Sequence, residues 1–333
     1  MTDHTAGSVR FRGGARIKAS IHDLAGELIQ ALRERPAALE SPPVARLLGI
    51  LSAELGLHVS QPNNRYSAAK SMVHLVNLQE HPDMSPGFEQ LQGARCVDVG
   101  CGGLNPVGGL FALLLAGAQS GVGVDLDELE SLELAVRALY TVLCAAVTRT
   151  SRPHLPGTIA DILDRIDGFD VEKLAAGDVT GVDRSRLDFV QQPLAAAGIE
   201  PGSVDVLVSN SLLEHVPEPD ALIADMAEVT RPGALCVHNI DGVDHRCYAD
   251  KELFQLQFLR EAAEQQMAFG CNRIAPLAFR DYFERNGFEV RGVREGARLA
   301  LSDADIASFA PRFRDVERDR REVLRARFYL RRR

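Results

Sequence analysis

Paired cysteines, a membrane-length apolar run and an excess of basic residues are all absent from this sequence of 333 residues. The six cysteines form no CxxC pair, which favours free thiols in a reducing, cytoplasmic compartment. The longest apolar run, 107–118, is too short to span a bilayer. Residues 1–18 are polar and basic and lack the apolar core of a signal peptide. These absences argue against membrane, secreted and fibrous proteins.

Acidic residues outnumber basic ones, with 46 Asp and Glu against 37 Lys and Arg, and the net charge is −9. This balance argues against a general nucleic-acid binder, which carries a basic excess. The apolar share of 46% is ordinary for a globular protein, and a chain of this length can bury a full core. Residues 312–333 carry ten arginines and four acids, which we interpret as a solvated face that balances acidic neighbours.

The character of the sequence changes near residue 90. Residues 1–18 have the composition of a loose, disordered start, and helical spacing of apolar residues follows to about residue 79. We therefore expect 1–90 to form a helical N-terminal lobe or lid. Short valine-rich runs then alternate with helices over 91–333, which predicts an α/β domain whose parallel sheet is covered on both faces.

Seven strands are predicted in the second region, at 96–99, 121–125, 187–190, 204–208, 234–240, 288–294 and 323–330. About 60 residues separate the second and third strands, far more than a crossover needs, so about 150–182 is predicted to be an insertion. In the last strand four apolar residues alternate with Val323, Arg325, Arg327 and Tyr329, a pattern typical of a strand with one face in water.

A glycine-rich turn follows the first of these strands. Asp98 precedes Gly100 by two residues, and Gly102 comes next in the turn. Glycines allow a sharp turn and a close approach of a ligand to the backbone. A carboxylate beside a pyrophosphate would be unfavourable, and the spacing is not GxGxxG, so a nicotinamide oxidoreductase is disfavoured. The acid fits a positively charged ligand better.

A second acid, Asp125, ends the second strand. A carboxylate at this point can accept hydrogen bonds from both hydroxyls of a ribose. Asp98 and Asp125, on either side of a glycine turn, therefore suit a nucleoside that carries positive charge and no phosphate.

With these residues the chain resembles the Rossmann-like, class I S-adenosylmethionine-dependent methyltransferases. The resemblance rests on 97–103, on 123–125, and on 204–216, which looks like the fourth strand and its loop. It implies a doubly wound, mostly parallel seven-stranded sheet of order 3-2-1-4-5-7-6, and S-adenosyl-L-methionine as the cofactor. The cofactor-binding positions that it implies are Asp98, Gly100, Gly102, Asp125, Leu126, Gln192, Pro193, Asn210 and Ser211. Gln192 stands where the family usually has an acid for the adenine.

Candidate residues for chemistry cluster around the end of the fifth strand. His238 and His245 are predicted as general bases because an imidazole titrates near neutral pH, with Asp241 beside them. The same cluster could hold a divalent cation or form a plain polar loop, and no metal is assigned. Tyr66 lies in the N-terminal lobe, where its ring could contact the sulfonium through a cation–π interaction.

Four further residues are predicted to bind the substrate. Arg246, Asn272 and Arg273 could pair with a carboxylate, because arginine forms paired hydrogen bonds to that group. His215 follows the fourth strand and is predicted at the same edge of the sheet.

The favoured function is methyl transfer to a small-molecule acceptor, which a helical lobe and an insertion could enclose. One alternative is a cyclase or lyase that acts on S-adenosylmethionine itself and yields azetidine-2-carboxylate and methylthioadenosine. A non-catalytic cofactor-binding protein is a further alternative. We expect a small-molecule substrate and neither nucleic acid nor membrane as partner, while a homodimer stays open.

Overall fold

The computed structural model describes residues 66, 68–147, 155–261, 267, 269–315 and 317–333. The chain divides into two compact units, Met1–Asn64 and Arg65–Arg333. The helices predicted before residue 65 lie outside the described residues. Everything that follows concerns the second unit.

Seven strands of the described chain form one sheet. They are β1 (Arg95–Val99), β2 (Ser120–Asp125), β3 (Leu187–Gln191), β4 (Val204–Asn210), β5 (Thr230–Asp241), β6 (Phe288–Glu295) and β7 (Arg325–Arg332). Their order is β3-β2-β1-β4-β5-β7-β6, and only β7 runs antiparallel to its neighbours. This arrangement confirms the predicted seven-stranded, mostly parallel α/β sheet and its strand order.

Ten α-helices accompany the strands in the described ranges. They are α1 (Ala68–Ser71), α2 (Val73–Gln79), α3 (Gly108–Ala116), α4 (Leu132–Val147), α5 (Ile159–Asp164), α6 (Val171–Ala176), α7 (Pro219–Val229), α8 (Phe279–Arg285), α9 (Asp303–Ser308) and α10 (Arg318–Glu322). None of them is long and apolar enough to cross a bilayer.

Burial of apolar residues explains why the central strands pair in parallel. All of β1 after its first residue is buried, and every residue of α3 except Gly109 is buried too. One core cluster joins β4, β5 and β7 to the inner faces of α7 and α8, through side chains such as Ile223, Phe283 and Phe328. All six cysteines lie in described residues and are free thiols. Five are buried, and Cys101 is half-buried.

Residues just before β1 are anchored to the far side of the sheet. The Nε2 atom of His81 lies 3.0 Å from the carbonyl oxygen of Leu330 in β7. The carboxylate of Glu80 accepts hydrogen bonds from Arg327 and from the Tyr329 hydroxyl, the latter at 2.7 Å. The end of the predicted N-terminal lobe therefore packs on the α/β sheet and belongs to its unit.

The predicted insertion contains two short, well-capped helices. Thr158 and Asp161 form a capping box at the start of α5, and the Asp170 side chain accepts from two backbone N–H groups at the start of α6. Arg165 donates to the carbonyl oxygens of Leu115 and Pro156, both at 2.8 Å, and so ties the insertion to the end of α3.

Candidate cofactor and acceptor site

The carboxyl ends of five neighbouring strands meet at one edge of the sheet. Register pairs there include Val99 with Val124, Asp125 with Gln191, and Asn210 with Asn239. In open α/β sheets this edge is where ligands bind. The predicted glycine turn and the second acid therefore lie together in space.

The glycine turn after β1 depends on two residues with positive φ. Gly100 has φ +74° and donates its N–H to the Val124 carbonyl oxygen at 2.8 Å. A β-carbon at Gly100 would lie 2.6 Å from the Leu212 side chain, so only glycine fits. Gly102 has φ +76° and no atom within 4 Å of such a carbon. The turn thus packs on one side and faces open space on the other.

Asp98 is buried and has one partner. Its Oδ2 atom lies 2.7 Å from Nε2 of His74, a residue of α2, and both side chains are almost fully buried. Oδ1 of Asp98 is buried with no hydrogen-bond partner among the described residues. Buried polar atoms are normally satisfied, so this oxygen remains available to a ligand. Sequence reasoning missed His74, because it lies 24 residues away in a different element.

Asp125 holds the turn in place through its own carboxylate. Oδ2 accepts from the Gly102 N–H at 2.6 Å, and Oδ1 accepts from the N–H groups of Leu126 and Asp127 at 2.7 and 2.9 Å. A carboxylate can accept about four hydrogen bonds, so capacity remains for a ribose hydroxyl. Leu126 is 68% exposed, which is unusual for a leucine and offers an apolar surface to a base.

The other predicted cofactor positions also reach this edge. Gln192, Pro193, Asn210 and Ser211 are all exposed. Ser211 has φ +54°, an uncommon conformation for a residue other than glycine, and donates its N–H to the Asn239 carbonyl oxygen at 3.0 Å. Gln191, which the sequence did not single out, places its amide 3.4 Å from the Leu126 carbonyl oxygen.

These features fit S-adenosylmethionine. An unpartnered buried carboxylate oxygen suits a cation, the open face over Gly102 leaves room for a ligand, and Leu126 can cover an adenine. Asp98 and Asp125 would hold its charged and ribose portions.

Beyond β4 and β5, three donor side chains come together. Nitrogen atoms of His215 and His245 and the Sγ of Cys271 lie within 4.8 Å of one another. His215 donates from Nδ1 to the Gly270 carbonyl oxygen at 2.8 Å, while Nε2 of His245 is buried without a hydrogen-bond partner among the described residues. Two imidazoles and a thiol are donors that zinc takes, so this His–His–Cys cluster could hold a divalent cation.

Burial sets the protonation of the cluster. It lowers the pKa of His245, with a contribution from nearby His215, so the ring is neutral at pH 7 and able to accept a proton. It raises the pKa of the Cys271 thiol to about 11. Glu214 is almost fully buried beside them, and burial raises its pKa to about 8. No sequence pattern singled out Glu214, because its burial comes from the fold around it.

His238 is a core residue. It is 0% exposed, its Nδ1 lies 2.7 Å from the Ser209 hydroxyl, and its ring stacks on Phe283. Burial lowers the pKa of His238 to about 3, so the ring stays neutral. We correct the general-base prediction for His238, because an enclosed ring in the middle of β5 cannot reach an acceptor.

Asp241 ends β5 in a polar network rather than free in the site. Its carboxylate accepts from the Tyr248 hydroxyl and from Nε of Arg325, the latter at 3.0 Å. Arg325 also donates to the Tyr248 oxygen at 3.1 Å. The Tyr248 ring lies 5.1 Å from that of His245, between centroids. Asp241 therefore positions the aromatic wall next to His245.

Two predicted substrate-binding residues are already occupied. Arg246 binds the carboxylates of Asp244 and Glu261 at 2.6 and 2.8 Å and covers the Phe269 ring. The Asn272 amide donates to the carbonyl oxygens of Leu213 and Val216 at 2.7 and 2.9 Å. Their predicted carboxylate-binding role is corrected, because these polar groups hold the loops that carry His215 and Cys271.

Arg273 and Tyr66 stand apart from the cluster. Arg273 is buried and lines a separate cavity with Phe313. Tyr66 is 1% exposed at the start of the described chain, and its contact with a cofactor stays a prediction.

Comparison with known proteins supplies a family. The family described as "Methyltransferase domain" matches residues 77–293, about two thirds of the chain. A ubiquinone biosynthesis O-methyltransferase of Cupriavidus pinatubonensis is 28% identical over 155 residues, which cover 44% of this chain and 41% of that protein. An uncharacterized methyltransferase of Mycobacterium avium is 42% identical over 66 residues, 20% of this chain and 25% of that protein. The chain thus spans less than half the length of these relatives.

Solved structures show distant likeness. A putative S-adenosylmethionine-dependent methyltransferase from Listeria monocytogenes aligns with a TM-score of 0.42 and 13% identity, covering 80% of this chain and all of that one. Geranyl diphosphate C-methyltransferase from Streptomyces coelicolor A3(2) aligns with a TM-score of 0.43 and 12% identity, covering 84% and 83%.

Replacing Asp125 tests the ribose assignment. We expect Asp125→Ala to weaken binding of S-adenosylhomocysteine by about 1–3 kcal/mol, because buried hydroxyls lose a charged acceptor. Calorimetry measures the affinity. Asp127→Ala removes a neighbouring exposed carboxylate and should leave the affinity within about twofold. Equal affinities for both variants and the wild type would remove the assignment.

Replacing Gly100 tests the turn. Gly100→Val should abolish cofactor binding, because its side chain would collide with Leu212 and its positive φ is strained. Gly93→Val is the matched control, since Gly93 has φ +72° and no atom within 4 Å of a β-carbon. Gly93→Val therefore has the backbone strain of a positive φ but no steric clash with a neighbouring side chain. If Gly100→Val is folded and still binds, the turn does not form the site.

Proposed function

The chain belongs to the methyltransferase-domain family, and on that premise we propose that it transfers a methyl group from S-adenosyl-L-methionine to a hydroxyl oxygen of a small-molecule acceptor. The observation that carries this proposal is the position of two groups at one sheet edge. The glycine turn with Asp98 and Asp125 lies after β1 and β2, and the His–His–Cys cluster lies beyond β4 and β5.

The cofactor side needs little chemistry from the protein. S-adenosylmethionine, when bound, supplies a methyl group already activated by a sulfonium sulfur. Asp98 would offer its unpartnered Oδ1 to the positively charged portion, and Asp125 would accept from the ribose. Leu126 would cover the base and exclude water from it. Alignment of the acceptor with the methyl carbon then accounts for much of the rate, as in other reactions between two bound molecules.

The acceptor side needs a proton acceptor if the nucleophile is a hydroxyl. His245 is neutral at pH 7, and its buried Nε2 has no hydrogen-bond partner in the described chain. The rings of His215 and Tyr248 flank it at centroid distances of 4.8 and 5.1 Å. We assign His245 as the base that receives the hydroxyl proton. Two of the curated relatives are named ubiquinone biosynthesis O-methyltransferases, and their names support an oxygen acceptor.

The products decide between this function and its alternatives. The enzyme is incubated with S-adenosylmethionine, with and without a panel of hydroxylated small molecules, and products are identified by mass spectrometry. We expect S-adenosylhomocysteine to form only with an acceptor. Methylthioadenosine without any acceptor would instead indicate cleavage or cyclisation of the cofactor. Tight binding with no product across a broad panel would indicate a non-catalytic protein.

His238 and His245, which the sequence predicted as general bases, should differ when each is replaced. His245→Ala should lower turnover by about 10²–10⁴-fold with nearly unchanged cofactor affinity, because it removes the proton acceptor. His238→Asn should lower the melting temperature, since it disturbs the packing on Phe283, while the folded fraction keeps its turnover. Steady-state kinetics and thermal melting of both variants measure this difference.

A chelator separates the base from a metal. Turnover of the wild type should be unchanged after treatment with EDTA and dialysis. Loss of turnover on chelation, restored by zinc, would show that the His–His–Cys cluster works by holding a cation and would contradict the base assignment. Full activity of His245→Ala would contradict it as well.

A further inference from the structure

A cavity lies beside the loop that carries Cys271. It has a volume of about 270 Å³. Its lining residues are Asn272, Arg273, Ile274, Ala275, Ala278, Arg312, Phe313 and Arg321. Three of the eight are arginines, and none is acidic. The lining therefore concentrates positive charge around one aromatic ring, that of Phe313.

Arg321 is the most unusual residue of this lining. It lies in α10 and is only 4% exposed, yet it forms no ion pair or side-chain hydrogen bond with the described residues. Its guanidinium carbon lies 5.6 Å from the centre of the Phe313 ring, its one assigned side-chain interaction. Burial lowers the pKa of Arg321 to about 10, so the group still carries its charge at pH 7.

Arg273 adds a second buried cation. It is 4% exposed, donates from Nη1 to the Glu261 carbonyl oxygen at 3.2 Å, and leaves Nε buried without a hydrogen-bond partner. Its guanidinium carbon lies 5.5 Å from the Phe313 ring centre. The carboxylates of Asp244 and Glu261 are near it, but Arg246 binds both. Arg312 is exposed and lies 4.5 Å from the same ring centre.

Such an arrangement is unfavourable without a counter-ion. Buried charges in folded proteins are paired or hydrogen-bonded, because water no longer stabilises them. Arginine presents several N–H donors in a planar fork that matches carboxylate and phosphate oxygens. The missing partner of the Arg273 and Arg321 side chains is therefore an oxyanion that enters the cavity.

We propose that the cavity formed by Arg273, Arg312, Phe313 and Arg321 binds a small molecule through a carboxylate or phosphate group. The site is distinct from the cofactor turn and does not depend on the proposed methyl transfer. Its oxyanion would receive hydrogen bonds from the Nε groups that are now unsatisfied, and the Phe313 ring would pack on the rest of the ligand.

Calorimetry with full-length protein and two probes, inorganic phosphate and malonate, tests the proposal. We expect saturable binding of at least one probe with a stoichiometry of one, weakened by added salt. Arg321→Met should weaken it at least tenfold, because the anion loses a buried cation. The probe that binds more tightly identifies the phosphate or the carboxylate as the preferred group.

Arg320→Met is the matched control. Arg320 is the adjacent residue of α10, but it pairs with Asp281 and Glu317 at the surface and does not line the cavity. Its variant should bind within about twofold of the wild type. If Arg321→Met does not fold, Arg273→Met provides the same measurement.

Binding that the two α10 variants lose equally would be adventitious ion binding and would overturn the proposal. No saturable binding of either probe by the folded wild type would overturn it too. A thermal shift gives an independent readout, since phosphate or malonate should raise the melting temperature of the wild type and of Arg320→Met but not of Arg321→Met.

Discussion

The buried contact between His74 and Asp98 fixes the cofactor edge of this protein. His74 lies in α2, and its Nε2 atom is 2.7 Å from Oδ2 of Asp98, the second-last residue of β1, directly before the glycine turn. The ring of His74 fits against α3 because residue 109 is glycine. The β-carbon of any other residue there would lie 2.4 Å from the imidazole. α2, β1 and α3 therefore pack together next to the Asp98 carboxylate. The second oxygen of that carboxylate has no partner among the described residues, and in the proposed function it would bind the positively charged part of the cofactor.

The order of the strands determines which loops lie beside the Asp98 carboxylate. Because β4 lies beside β1, and β5 beside β4, the loops after those strands face the same edge. The Asn272 amide binds carbonyl oxygens of the β4 loop and thereby holds Cys271 near His215. Asp241, Tyr248 and Arg325 hold the wall near His245 from the side of β7. Side chains that the sequence suggested as substrate contacts instead build the frame on which the remaining candidates are placed.

Local patterns in the sequence were sufficient for the strands and the glycine turn, because apolar runs and glycine spacing report local conformation. The resemblance to methyltransferases supplied the strand order. Non-local pairing decided the rest. β5 continues to Asp241 because it pairs with β7 over its whole end, with His238 opposite Phe328, and this pairing buries His238. Likewise Glu261, one of the two carboxylate partners of Arg246, is 15 residues away, and the partner of His74 is 24 residues away, beyond the reach of motif spacing.

The arginine-rich end of the chain shows how pairing distinguishes a surface from a site. The prediction of a solvated face that balances acidic neighbours holds for five of its ten arginines: Arg318 pairs with Asp303, Arg320 with Asp281, Arg325 with Asp241, Arg327 with Glu80 and Arg331 with Asp83. Exposed pairs of this kind contribute little to stability but leave no charge uncompensated. Arg321 lies among these arginines, but it is buried and has no carboxylate partner among the described residues. Burying an unpaired guanidinium costs free energy that an apolar residue at this position would not. The proposed oxyanion would supply the missing partner and so account for an arginine here.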